Sequence, residues 1–223
     1  MKLLIRIKIV IAVIAVLLIG CTKKQDANGI TDDGFSTVIT DLVGDTSASM
    51  SQGGAGAFKS LYFSFTTNDK IEISSGEQTT VKWDLAFTGP YNSEIYVNYG
   101  GYQYNPGYGG AGKGAVVVAD KPYSLVDAAP ADAVFESSGI TKIGWDAGDG
   151  RGWFFYSLNN HICVPVKNRT FILRTATGKY AKLEVINIYK GNPSVVTDLF
   201  WPAPYLTFRY YVQQDGSRDL RTN

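Results

Sequence analysis

Histidine is nearly missing from this chain of 223 residues, where His161 is the one copy. Cysteine is limited to Cys21 and Cys163, and methionine after the first residue to Met50. No His and Cys stand at metal-ligand spacing, and no Gly-x-Ser-x-Gly elbow is present. These absences argue against most hydrolase classes, and the chain is read as something other than an enzyme. An excess of either charge is lacking too. The first twenty residues hold three basic residues and no acidic ones, which leaves 18 basic against 20 acidic residues in the remainder. A balance near −2 gives no reason to expect nucleic acid or a strongly anionic partner. Beyond the first twenty residues no stretch shows a helical period, so an all-β fold is expected.

What is present begins with Cys21. Lys2, Arg6 and Lys8 precede an apolar run from Ile9 to Ile19, which ends in Leu17-Leu18-Ile19-Gly20-Cys21. A basic start, an apolar stretch and a small residue before the cut form a secretory signal peptide. The cysteine directly after Gly20 gives it the form of a bacterial lipobox, with cleavage before Cys21 and acylation of its thiol. The run is short of the roughly 20 apolar residues that a membrane span requires. Acyl chains contribute about 0.8 kcal/mol per buried CH₂, so two or three hold a protein on a bilayer. Residues 1–20 are therefore expected as signal peptide and 21–57 as lipidated cysteine and flexible tether. With Cys21 acylated, Cys163 has no disulfide partner within the chain. It is read as a small buried hydrophobe in an apolar run.

Period-two patterning follows. Leu61, Phe63 and Phe65 alternate with polar neighbours, as do Val81, Trp83, Leu85 and Phe87. The second set predicts a half-buried strand with Trp83 in the core and Asp84 on the other face. Further strands are expected over 115–119, 153–156, 170–175, 180–189 and 206–212. The Ala176-Thr177-Gly178-Lys179 run predicts a hairpin turn. Residues 120–135 read as loop with one turn of helix, and 214–223 as a polar, frayed tail. The chain is thus read as one all-β domain of antiparallel sheets over 58–213.

Several blocks in order carry a family resemblance. They are Tyr62 to Phe65, Trp83 to Phe87, Gly112 to Val116, Trp153 with Tyr156, Arg169 to Lys190, and Thr207 to Tyr210. Over residues 58–213 the chain resembles the HmuY family of haem-binding lipoproteins of the Bacteroidetes. The resemblance implies an all-β fold, a lipid anchor on the outer membrane, and haem passed to a partner, a TonB-dependent receptor. Family members clamp the iron between two histidines or use methionines. One axial histidine lies five residues after the tryptophan that matches Trp153, where this chain has Leu158. Between residues 84 and 153 there is neither histidine nor methionine. No axial pair therefore carries over residue by residue. The alternative reading is an accessory lipoprotein of the same scaffold that binds a glycan, another non-haem ligand or a partner protein.

The candidate ligand residues follow from this. His161 is either an iron ligand through neutral imidazole or a structural histidine at a strand edge. Met50 offers a thioether from a polar stretch. Tyr91, Tyr96, Tyr99, Tyr102, Tyr104 and Tyr108 sit in a glycine-rich segment. They form either a binding surface for a flat ring or the face of an ordinary hairpin. Trp145 to Gly150 resembles a fragment of a calcium loop but lacks the distant glutamate, and reads as a turn.

Overall fold

The computed structural model describes residues 30–222, so Cys21 and the signal peptide lie outside the described residues. Strand β1 spans Thr37–Val43, β2 Leu61–Ser64, β3 Asp69–Ile71, β4 Leu85–Thr88, β5 Glu94–Val97 and β6 Ala115–Ala119. β7 spans Phe154–Ser157, β8 Ile162–Pro165, β9 Thr170–Arg174, β10 Tyr180–Asn187 and β11 Tyr205–Val212. Two short helices, α1 (Met50–Gly53) and α2 (Asp132–Ser137), interrupt them. The strands pair antiparallel in three sheets: a five-stranded one ordered β1-β11-β10-β9-β6, a four-stranded one ordered β3-β2-β4-β5, and the two-stranded β7-β8.

The two larger sheets meet through aromatic side chains. Phe208 of β11 lies 5.2 Å from Phe63 of β2 and 5.5 Å from Phe87 of β4, between ring centres. All three are fully buried, as are Leu85, Leu173, Leu183 and Leu206 beside them. The hairpin between β9 and β10 closes as its turn residues dictate. Gly178 takes a φ of +89° and its N–H donates to the Thr175 carbonyl, while the Thr175 N–H donates to the carbonyl of Lys179. Only glycine enters that left-handed region without cost.

Four expectations change. β1 lies inside the stretch expected as tether and pairs with β11 at the edge of the main sheet. Its alternation is broken by a bulge between Ile39 and Leu42, where Asp41 has a φ of +53°. The same stretch also holds the short helix α1. The Val81 strand is shorter than its pattern: β4 begins at Leu85 and Val81 is exposed. Trp83 is in the core as expected, but Asp84 and Ala86 are buried too. Leu85, Ala86 and Phe87 have no exposed surface, so both faces of β4 are covered there. The tail is packed rather than frayed. Leu220 is fully buried in a small second core with Val126, Phe135, Ile172 and Tyr180, and its N–H donates to the Asp127 carbonyl.

That tail covers a buried cation. Lys182 of β10 has no exposed surface, and its ammonium donates to the carbonyls of Tyr123 and Val126 and to Thr222 Oγ1. Burial pushes its pKa down to about 8. The unfolded lysine keeps its proton up to about pH 10.4. Between these values the unfolded state binds the extra proton, so this group makes stability rise with pH. Lys182→Met is expected to remove that contribution. Denaturation midpoints of parent and variant across pH 7.5–10 measure it, and an unchanged difference between the two would refute it.

Candidate functional site

One end of the fold gathers residues from four separated segments. The connection between β4 and β5 folds as a tight turn over Pro90–Asn92, with Tyr91 and Asn92 both at a φ of +52°. Such values are strained for a tyrosine. The turn is held by the fully buried Asn92, whose amide donates to the carbonyls of Lys59 and Phe87 while its oxygen accepts from the Asp45 N–H. The ring of Tyr91 leans on Phe58 at 4.9 Å.

The β7-β8 hairpin is the second segment. Its turn carries His161 at a φ of +56°, with the His161 N–H donating to the Ser157 carbonyl. Trp153, just before β7, is 1% exposed and its indole N–H donates to the Ser93 carbonyl at 2.7 Å. This bond ties the hairpin to the turn that carries Tyr91. The third and fourth segments are α1, with Met50, and the connection from β10 to β11, with Ile188, Tyr189 and the run Leu199 to Ala203.

These residues enclose a cavity of about 480 Å³, within the range of small-molecule sites. Its walls are Tyr91, Tyr156, Tyr189, Trp201 and Ile188, with Phe200 and Leu199 exposed at the rim. Three soft or nitrogen donors line it: His161, Met50 and Cys163. The Tyr156 hydroxyl is hydrogen-bonded to His161 Nδ1 at 3.0 Å. When Nδ1–H is the donor, Nε2 carries the lone pair that a metal needs. The Cys163 thiol is pushed up to about 12 by burial, against a smaller effect of the Tyr189 hydroxyl, and is a neutral thiol at physiological pH. Burial also raises the phenol of Tyr156 and takes that of Tyr189 to about 12, so neither is a phenolate at neutral pH. An imidazole and a thioether are the remaining donors. Both belong to the known axial ligands of haem iron.

The structure separates the tyrosines. Tyr91 lines this cavity; Tyr96, Tyr99, Tyr102, Tyr104 and Tyr108 do not. Tyr96 lies on β5, and Tyr102 and Tyr104 stack edge to face in the glycine-rich loop, with Tyr104 and Tyr108 exposed. That loop is fastened from beneath by Asn105, whose amide donates to the Val97 carbonyl and whose oxygen accepts from the Gly107 N–H. Trp145 to Gly150 forms a turn: Asp146 accepts from the N–H groups of Gly148 and Gly150 and pairs with Arg169. Trp201 and Phe200 escaped the sequence reading. Their signal was an aromatic pair directly before Pro202 and Pro204, in a loop with no strand pattern to bury it.

No family model matches the chain, and no curated protein matches it. Among solved structures it is similar to an apo HmuY analogue from Tannerella forsythia, with 13% identity over 80% of this chain and 95% of the other and a TM-score of 0.46. A protein from Bacteroides fragilis assigned as a lipoprotein shares 14% identity over 85% of this chain and 92% of its own, with a TM-score of 0.40. An HmuY-like protein from Bacteroides vulgatus, assigned to haem binding, shares 14% identity over 81% and 94%, with a TM-score of 0.43. Two of the three carry the HmuY name.

Proposed function

We propose that this chain binds haem, or a related porphyrin, in the cavity between Tyr91, His161 and Trp201, as a lipoprotein anchored through Cys21. One observation carries the reading: the single histidine and the single internal methionine, 111 residues apart in sequence, line the same aromatic cavity. His161 Nε2 and Met50 Sδ are the donors offered to iron. Tyr156 orients the imidazole through Nδ1. The porphyrin face packs on Tyr91 and Trp201, and its entry covers Phe200, which is 82% exposed, and Leu199. Each Å² of apolar surface so removed from water contributes about 25 cal/mol. Among the described residues no helix is long and apolar enough to cross a membrane. The exposed rim leaves the ligand within reach of an outer-membrane receptor, to which the protein hands it on.

Haemin titration of the protein, followed in the Soret and visible bands, tests this reading. A saturable low-spin spectrum is expected at micromolar haemin. His161→Ala is expected to convert it to high-spin and to weaken binding by at least about tenfold, roughly 1.4 kcal/mol. Absence of saturable change in the parent would sink the proposal, and a spectrum indifferent to both His161→Ala and Met50→Leu would remove the assigned ligands.

A further inference from the structure

A second cavity lies at the opposite end of the same strands. The residues after β10, Ile188 and Tyr189, wall the first cavity, while Thr175 and Lys179 before it wall the second. β11 runs the other way, from Ala203 at the first to Val212 and Gln214 at the second. Both strands have eight residues, and a strand rises about 3.3 Å per residue, which separates the two cavities by roughly 25 Å.

The second cavity, of about 510 Å³, has a different chemistry. Asp84 lies in its wall with 7% exposure, and one carboxylate oxygen accepts from the Phe65 N–H at 2.8 Å. Burial raises its pKa, partly offset by the N–H groups of Phe65 and Ala176 and by the charge of Lys179. Lys179 is therefore near Asp84, yet its ammonium donates to Gln214 Oε1 at 2.5 Å rather than to the carboxylate. Asn68 and Thr175 add neutral polar groups, and the ring of Phe35, 64% exposed, lies at the same cleft.

We propose that this cavity binds a pyranose sugar, either free or as the end residue of a glycan. A carboxylate only accepts hydrogen bonds and an ammonium only donates them. A sugar hydroxyl does both at once, so neighbouring hydroxyls bridge Asp84 and Lys179 and satisfy each. The exposed amides of Asn68 and Gln214 suit the remaining ring substituents. The C–H face of a pyranose is apolar and fits against the exposed ring of Phe35, beside which Phe65, Tyr210 and Tyr211 also line the cavity. A zwitterion such as an amino acid would also span the two charges, but it leaves the neutral groups and the aromatic ring without a role. No histidine, cysteine or methionine lines this end.

Saturation-transfer NMR on the protein tests this with glucose, galactose, N-acetylglucosamine, their methyl glycosides, and glycine as the zwitterion. At least one sugar is expected to receive saturation on its ring protons at millimolar concentration. The signal is expected to fall several-fold in Phe35→Ala and in Lys179→Met, both surface substitutions that leave the core intact. Transfer to a methyl glycoside supports the terminal residue of a glycan, and transfer to the reducing sugar alone supports a free sugar. No transfer to any sugar, displacement by glycine, or transfer that survives both substitutions would overturn the proposal. Haemin titration of the same two variants is expected to match the parent, so failure at one cavity is distinguishable from failure at the other.

Discussion

Asp146→Ala is expected to lower the free energy of unfolding by about 3–5 kcal/mol, the cost of leaving a buried charge without its partner. The Asp146 side chain is 1% exposed and that of Arg169 is 9% exposed. Asp146 accepts from two backbone N–H groups and from Arg169 Nη1, while Arg169 also donates to the Gly152 carbonyl and, through Nε, to Asp120 at 2.8 Å. Alanine removes the acceptor for three donors together. Asp120 is 67% exposed and cannot replace it, because its pairing is weakened by water. Asp146→Ala combined with Arg169→Met is expected to recover part of the loss, since no unpaired guanidinium then remains. The pH dependence has a definite sign. Burial alone would raise the Asp146 pKa, but the N–H groups of Gly148 and Gly150 and the Arg169 charge outweigh it and hold the carboxyl below its ordinary value. Its contribution is complete above the unfolded value near 3.9 and is lost as pH falls through the lower folded value. Urea midpoints at pH 7 and below pH 4 measure both effects. A loss under about 1 kcal/mol at pH 7 would reclassify the pair as a surface ion pair.

Trp153→Ala is expected to cost about 3–5 kcal/mol as a large-to-small core change. The more informative variant is Trp153→Phe. It keeps most of the ring against Phe154, 4.6 Å away, but leaves the buried Ser93 carbonyl without its donor, at about 1–3 kcal/mol. The β7-β8 pair belongs to neither larger sheet, so this indole is one of its few polar ties to the body of the fold. Trp153 does not line the His161 cavity. Trp153→Phe is nonetheless expected to weaken haemin binding, because His161 and Tyr91 stand on the two segments that the bond joins. Unchanged haemin affinity in a variant with a measurably lower urea midpoint would show that the hairpin holds its place without it.

The hairpin of β9 and β10 was legible in the sequence because Gly178 marks its turn and Ala181, Leu183 and Val185 keep strict period two. β1 was not, since Asp41 at its bulge interrupts the alternation and an edge strand needs only a little burial. The buried Asp84 and Lys182 were illegible for another reason. Period two assigns one face of a strand to water, and here both faces are buried, at Lys182 under the tail. The cavity was legible only in parts. His161, Met50 and Tyr91 were each recognisable as candidates, but their meeting depends on two turns with left-handed residues, at Tyr91 and His161, that sequence spacing does not reveal. Tyr96 to Tyr108 drew attention through composition, and composition does not say which way a loop is fastened.

β1 opposes β11 with Thr37 beside Tyr210 and Val43 beside Tyr205, so the chain enters the sheet at the end away from His161. Tension applied through the N-terminal segment and resisted at the His161 end therefore runs along the strands. The hydrogen bonds between antiparallel strands lie across that direction. The five paired positions of β1 and β11 are loaded in shear together, instead of being parted one after another. An edge strand that would unzip readily from the side is held in its resistant geometry when the protein is pulled by its N-terminal segment.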